Sequence, residues 1–244
     1  VRIAPEGWIV LVPLLVVCAA ASAALLIFAW PTLGVAVVLT VALALLALWG
    51  LWFFRDPHRP LPQNATADSV ISPADGKVIK LDQAPLPREL AQAAVELGLD
   101  PLAPLPRVSI FLNLFDVHVN RTVAAGQIVK LAYSKGAFVN ASFDKASTHN
   151  ERNAALMQDP AGRVLAFSQI AGLVARRIVC HLREGQTVAA GERFGLIRFG
   201  SRAEIWMPAG TRIGVTLGQR VVAGQTILGQ MPDAPSSPSK GRAQ

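Results

Sequence analysis

Residues 7–54 read GWIVLVPLLVVCAAASAALLIFAWPTLGVAVVLTVALALLALWGLWFF, and no Asp, Glu, Lys or Arg occurs between Glu6 and Arg55. One straight helix of this length would rise about 70 Å, more than twice a bilayer core of about 30 Å. The stretch is therefore expected to fold back once. Trp30-Pro31-Thr32-Leu33-Gly34 combines a proline, a glycine and an interfacial aromatic, so the reversal is placed there. Two spans follow, at 8–30 and 33–54. A cleaved signal peptide fits poorly, because its apolar region is only about 7 to 15 residues and has no second span behind it. A re-entrant or interfacial hairpin is the stronger rival, since Pro13 and a very short turn would suit it.

The flanks set an orientation. Arg55 and Arg59 follow the second span, Arg2 precedes the first, and the turn carries no positive charge, so both ends are expected in the cytoplasm. Cys18 lies inside the first span and Cys180 far downstream, so no disulfide framework is implied.

Over the whole chain of 244 residues, 52% are hydrophobic and 16% charged, which argues against an ordinary soluble protein. The net charge of +7 lies downstream of the apolar stretch, because Arg2 and Glu6 cancel. A basic domain held at an anionic leaflet is attracted to lipid headgroups. Nucleic acid is not expected as a partner: no Lys/Arg run has interleaved aromatics, and Tyr133 is the only tyrosine.

Residues 55–68 (RDPHRPLPQNATAD) contain three prolines and read as an extended linker. From Ser69 onward, short alternating or β-branched runs dominate, at 69–71, 77–81, 107–115, 127–133, 163–170, 175–182, 193–198 and 203–207. Residues 88–97 (RELAQAAVEL), between Pro87 and Gly98, predict the one helix of this part. Residues 233–244 are rich in Pro and Ser and are expected to be disordered. Gly185-Gln186-Thr187-Val188-Ala189-Ala190-Gly191 recurs 33 residues later as Gly218-Gln219-Arg220-Val221-Val222-Ala223-Gly224. Such half-repeats are the pattern of lipoyl-like barrel-sandwich domains. The expected fold is α+β: a mostly β cytoplasmic domain at 69–232 with two pseudo-symmetric halves, behind a two-helix membrane hairpin at 1–54.

Between the repeats stands Phe199-Gly200-Ser201-Arg202, with strand-like runs on both sides, so the serine is expected on a tight corner within a sheet. Here the chain resembles the phosphatidylserine decarboxylase family in its short bacterial form. The resemblance rests on Phe53-Phe54-Arg55-Asp56-Pro57, Ser72-Pro73-Ala74-Asp75-Gly76, Phe115-Asp116-Val117-His118-Val119-Asn120-Arg121, Asn150-Glu151-Arg152 and Gly200-Ser201-Arg202, in the family's order. It implies a bacterial inner-membrane enzyme of phospholipid biosynthesis, made as a zymogen. Autocatalytic cleavage between Gly200 and Ser201 would give a β chain (1–200) and an α chain (201–244) that stay associated, with Ser201 converted into a pyruvoyl group. That group would form a Schiff base with phosphatidylserine and release carbon dioxide, leaving phosphatidylethanolamine. Pyridoxal phosphate and a metal are not expected, and a homo-oligomer is.

The resemblance also implies roles. His118 is the candidate proton donor, since an imidazole titrates near neutral pH; a hydrogen-bonded histidine at a strand end is the plain alternative. Asp75 is the candidate carboxylate for self-cleavage, although Ser-Pro-Ala-Asp-Gly is also good β-turn chemistry. Longer relatives have a second histidine where this chain has Arg121. The cleavage base is thus either His118 or, from another loop, His149. Arg202 and Arg121 are the candidate partners of the substrate's phosphodiester, on charge alone. Asn150, Glu151 and Arg152 are either site supports or a polar loop. His58 reads as solvated and His181 as a core or strand-end residue, and no Cys/His cluster has zinc spacing.

The rival of another class is a membrane-tethered lipoyl-like carrier or scaffold, with Asp144-Lys145-Ala146 as its modifiable lysine. Position argues against it, because Lys145 precedes both half-repeats. A serine hydrolase using Ser201 lacks the G-x-S-x-G elbow, since Ala203 stands where the last glycine should be.

Overall fold

The computed structural model describes residues 2–28, 33–136, 150–172, 178–198 and 201–233. Two helices, α1 (Trp8–Phe28) and α2 (Leu33–Phe53), form the hairpin. Each has 21 residues and rises about 31 Å, and both are long and apolar enough to cross a membrane. Helix α1 runs through Pro13 without a break. The helices approach closely at Gly50, where a Cβ would lie 2.9 Å from Leu14 and 3.2 Å from Leu11. The expected reversal at Trp30, Pro31 and Thr32 lies outside the described residues.

The base of the hairpin is closed by main-chain pairing. Strand β1 (Arg2–Ile3) pairs antiparallel with β2 (Arg55–Asp56), and Ala4 N–H donates to the Phe54 carbonyl at 2.8 Å. Within the expected linker at 55–68, Arg55 and Asp56 thus join this pairing. Asp56 accepts from Arg121 and pairs with Arg193 at 3.0 Å, while Arg59 holds Asp75. The segment is pinned along the domain.

The domain itself is strand-rich. In chain order come β3 (Ser69–Ile71), β4 (Gly76–Ala84), a short 3-10 turn at Arg88–Leu90, α3 (Ala91–Glu96), β5 (Leu105–Leu112), β6 (Val119–Arg121) and β7 (Gly126–Ser134). Then follow β8 (Arg152–Gln158), β9 (Val164–Ala171), β10 (Ile178–Cys180), β11 (Thr187–Val188), β12 (Arg193–Ile197) and β13 (Ser201–Trp206). The last are β14 (Arg212–Ile213), β15 (Arg220–Val221) and β16 (Ile227–Gln230). Residues 234–244 of the expected disordered tail lie outside the described residues.

Among the described residues, the largest sheet is curled and has the order β11-β7-β8-β9-β13-β5-β4-β15, and two three-stranded sheets have the orders β10-β12-β6 and β14-β16-β3. One face of the large sheet meets the small sheets in the main core, which includes Val78, Ile110, Leu112, Ile128, Met157, Phe167, Phe194, Ala203 and Ile205. Helix α3 covers the other face, with Leu90 and Ala94 against Leu156, Ala166 and Trp206. The pleat explains the division: on β13, Ala203 and Ile205 enter the main core while Trp206 enters the second.

The strand order reads the same from both ends once β4, β5, β13 and β15 are matched with β7, β8, β9 and β11. The registers agree. Val221 faces Gly76 as Val188 faces Gly126, and Phe167 faces Ile205 at the middle of the β9–β13 pair. Both β4 and β7 carry a bulge at the same place, between Val78 and Lys80 and between Ile128 and Lys130. The repeated glycines Gly185 and Gly218 have φ of +81° and +85°, and each donates its N–H to the matching strand, at Ile128 and Val78. One half consists of 69–112 with 201–230; the other, 119–197, is inserted into it. In the inserted half, β8 and β9 are joined by the turn at 159–163. In the outer half, β5 and β13 are neighbours, but the whole inserted half lies between Leu112 and Ser201.

Candidate active site

Ser201 opens β13 in the middle of the large sheet, opposite Leu112 of β5 and Ala171 of β9. It is fully buried, and its Oγ has no hydrogen-bond partner among the described residues. The alternation along β13 turns it to the face of Ala203 and Ile205. A buried hydroxyl without a partner costs about 1–3 kcal/mol, so its retention needs an explanation outside stability. Gly200, its neighbour, lies outside the described residues, as does His149.

His118 reaches the same end of the sheet. Six residues after Leu112, it follows a compact turn in which Asn113 N–H donates to Asp116 Oδ2 at 2.9 Å and Phe115 N–H to Asn113 Oδ1 at 2.7 Å. Its carbonyl accepts from Ile197 N–H at 3.2 Å, four residues before Ser201. The ring nitrogen Nδ1 lies 3.0 Å from the Asp116 carbonyl. A carbonyl only accepts, so Nδ1 carries hydrogen and the lone pair of the neutral ring is on Nε2. The ring packs on Phe53, the last residue of α2, with centroids 4.3 Å apart. Burial pushes the imidazole down to about 4, with the Arg55 cation acting the same way; the Asp116 carbonyl and the Asp75 carboxylate oppose it. With its value held near 4, the imidazole is neutral at pH 7.

Asp75 stands at the start of β4, two strands from Ser201 across β5, at a spacing of about 5 Å per strand. Arg59 donates Nη1 and Nη2 to its two oxygens at 2.5 and 2.8 Å, and Ala223 N–H donates to Oδ1 at 2.8 Å. The carboxylate thus fastens the segment after the hairpin to the second repeat, and acts on His118 through its field.

The two arginines chosen on charge are engaged in the fold. Arg202 is buried on the face of β13 opposite to Ser201, 2.9 Å from Glu204, which also accepts from Ser109 and faces Arg107. Arg121 donates to Asp56 at 3.1 Å and to the carbonyls of Pro57 and Gly191. Neither side chain stands at Ser201 as a solvated cation. Asn150 Nδ2 donates to the carbonyl of Ala171, the residue opposite Ser201, at 2.7 Å, while Arg152 pairs with Glu89.

Two contributors were not read as site residues in the sequence, although Phe53 opens one of the motifs that carry the resemblance. Phe53 walls His118. Glu6 pairs with Arg193 and with the exposed His181, and its carbonyl accepts from Arg198 at 3.0 Å, just before the Gly200–Ser201 bond. Their contacts are not legible locally, because their partners are more than 60 positions away.

The family model for phosphatidylserine decarboxylase matches residues 46–229. The chain belongs to the phosphatidylserine decarboxylase family. It is 49% identical over 217 residues to the phosphatidylserine decarboxylase proenzyme of Erythrobacter litoralis, covering 88% of this chain and 84% of that protein. The proenzyme of Azorhizobium caulinodans is 46% identical over 218 residues, covering 85% and 89%, and that of Magnetococcus marinus 48% over 189, covering 76% and 79%. The described site residues from Phe53 to Ser201 fall within the part matched by the decarboxylase family model, and Glu6 precedes it.

Proposed function

We propose that this chain is a self-processing phosphatidylserine decarboxylase, made as a proenzyme, that converts phosphatidylserine into phosphatidylethanolamine and carbon dioxide. The observation that carries the reading is a buried Ser201 hydroxyl with no partner among the described residues, at the end of the sheet that His118 also reaches, in a chain of this family.

The arrangement suits self-cleavage. Neutral His118 takes the Ser201 Oγ proton, Oγ attacks the Gly200 carbonyl carbon, and the Gly200–Ser201 C–N bond breaks with the proton going to the departing amine. Gly200 offers no side chain against that approach. Loss of the resulting ester by β-elimination leaves dehydroalanine; water enters, ammonia leaves, and residue 201 becomes a pyruvoyl group. The orphaned hydroxyl fits this fate, since a conversion that removes it also removes its burial penalty. When formed, the pyruvoyl group supplies the electron sink for loss of carbon dioxide.

His118 serves the turnover as well. The serine headgroup arrives as an ammonium and leaves with one more hydrogen on its Cα. A neutral imidazole is ready to take the first proton and supply the second. Asp75 sets the field at His118 while held by Arg59, and His149 is the alternative base for cleavage. The two chains would stay together, because β13 is hydrogen-bonded on both sides, to β5 and β9.

The hairpin fits a bilayer-bound substrate. Arg2, Arg55 and Arg59 at its base favour a cytoplasmic domain at the inner membrane, with anionic lipid as its surroundings. The paired halves of the sheet support the lipoyl-like reading of the domain. Lys145, on which the carrier reading depends, lies outside the described residues.

Intact mass of the purified protein tests the proposal. Two chains are expected, the smaller starting at residue 201 with an N-terminus blocked to Edman degradation and reactive to carbonyl reagents. Ser201→Ala should remain one inactive chain. A single full-length chain with full activity, or continued cleavage of Ser201→Ala at this bond, overturns it.

A further inference from the structure

The turn that delivers His118 also carries Leu114 and Phe115, 39% and 67% exposed. We propose that this loop, residues 113–117, is a second membrane-insertion element, whose Leu114 and Phe115 enter the boundary between headgroups and acyl chains of the same bilayer that the hairpin crosses. The inference rests on the reading of the hairpin as membrane-spanning and of a phospholipid as substrate.

Its position is set by Arg55. One guanidinium nitrogen donates to the Trp52 carbonyl at 2.6 Å, in the last turn of α2, and the other to the Phe115 carbonyl at 2.8 Å. The same guanidinium stacks on the Trp52 ring, 4.0 Å from its centroid, and that ring is 56% exposed. A tryptophan and an arginine at the end of an apolar helix mark the interfacial layer, about 6 Å deep on each side of the hydrocarbon. Phe115 is one hydrogen bond from that mark. It therefore lies at bilayer depth whenever α2 is in place. Beside it, Ile3, Leu48, Leu51 and Trp52 line an open cleft of about 270 Å³ at the hairpin base.

The pseudo-symmetry supplies an internal control. The place of this loop in the inserted half is taken by the turn at 159–163, where Pro160, Ala161 and Gly162 are exposed. A second turn repeats the contrast: Leu217, 68% exposed, stands one residue before Gly218 where the inserted half has Glu184 before Gly185. The Leu217 turn is joined to the His118 loop through the Arg220–Asp116 ion pair. The scaffold does not require large apolar side chains at these turns. In these two matched pairs of turns, the exposed large apolar side chains are those of the outer half, at the end of the sheet that holds Ser201 and the hairpin base, where a bilayer surface would meet them. Insertion there would bring headgroups directly to His118, since loop and imidazole share one turn.

A nitroxide label placed by Phe115→Cys, with Pro160→Cys as the counterpart and Cys18 and Cys180 replaced by serine in both, tests the depth. The protein is reconstituted in vesicles of phosphatidylcholine with a minor share of phosphatidylserine. Label 115 should be accessible to oxygen and shielded from a water-soluble nickel reagent, and label 160 the reverse; equal access of both labels to the nickel reagent overturns the proposal. This readout stands even if the protein shows no decarboxylation, a result that would count against the proposed function instead. In the second arm, Leu114→Ser/Phe115→Ser should raise the apparent KM for vesicle phosphatidylserine about tenfold, while KM for a short-chain, water-soluble phosphatidylserine moves less than about twofold. Equal effects on both substrates, or none on the vesicle substrate, overturn it.

Discussion

The two halves of the sheet treat the same hairpin position in opposite ways. In the inserted half, the β8–β9 connection is closed by residues 159–163, where the buried charges of Asp159 and Arg163 are paired. Arg163 is buried, its Nε donates to Asp159 at 2.7 Å, its Nη1 to Asp68 at 2.7 Å and to the Pro232 carbonyl at 2.8 Å, and its N–H to Asp159 at 2.8 Å. In the outer half, the corresponding connection between β5 and β13 is opened to admit some eighty residues, and Ser201 stands where Arg163 does, with no hydroxyl partner among the described residues. One scaffold thus holds a saturated corner and an unsaturated one. The first is held by a buried, hydrogen-bonded ion pair; at the second, neighbouring strands hold a buried serine hydroxyl that no described residue satisfies.

The largest expected effect breaks the saturated corner. Arg163→Ala would leave Asp159 buried without its partner and should cost about 3–5 kcal/mol, read as a fall in Tm of the protein in detergent. Ser201→Ala should leave Tm unchanged or raise stability by about 1 kcal/mol, since it removes an unsatisfied hydroxyl. Equal losses at the two corners would dissolve the contrast.

Next in size is the protonation of His118. Its folded value, about 4, is below the ordinary 6.5, so the unfolded chain binds the proton first as pH falls. Stability is therefore lost between about 6.5 and 4, by on the order of 3 kcal/mol, and His118→Gln should flatten that part of the stability profile. Self-cleavage of newly made proenzyme should stay constant from neutral pH downward until the pH nears 4. Phe53→Ala admits water to the ring and should move that inflection toward 6.5. An unmoved inflection would deny the hairpin its part in the site.

The smallest effect concerns the clasp between hairpin and domain. Glu6→Ala releases Arg193 and His181 and should cost about 1–2 kcal/mol of docking, measured as faster proteolysis within residues 55–68. Unchanged protection would assign the clasp to the β1–β2 pairing alone.

Much of this fold is legible in one dimension because its signals are local. The run 69–71 reproduces β3, and 127–133, 163–170 and 193–198 fall within a residue or so of β7, β9 and β12, since β-branched and alternating residues between turn glycines mark half-buried strands. Strand β8, with the sequence RNAALMQ, escapes because alanine, leucine and methionine carry no β preference. Residues 88–97 do form helix, though it opens as a 3-10 turn at Arg88–Leu90. The run 175–182 appears only as β10, with residues 173–177 outside those described. The repeat at 185–191 and 218–224 is visible because both copies need left-handed glycines at the same places. Its pairing strands, β4 and β7, are equally repeated. They went unread although residues 74–81 (ADGKVIKL) and 124–131 (AAGQIVKL) share Ala, Gly, Lys and Leu at the same places, 50 positions apart.

By itself the sequence determined the apolar hairpin, the strand-rich domain and the motifs that place the chain in its family, including Ser201 and His118. Each depends on composition, short-range periodicity or residue order, which a chain displays before it folds. Tertiary structure alone decided that the halves interlock, that Ser201 lies at their seam, that His118 is buried against Phe53, and that Arg121 and Arg202 are absorbed into the fold. These properties depend on burial and on partners more than 50 residues distant, or on which side of a pleat a residue falls. Desolvation and charge pairing act through space, so they emerge only when the sheet has closed around them.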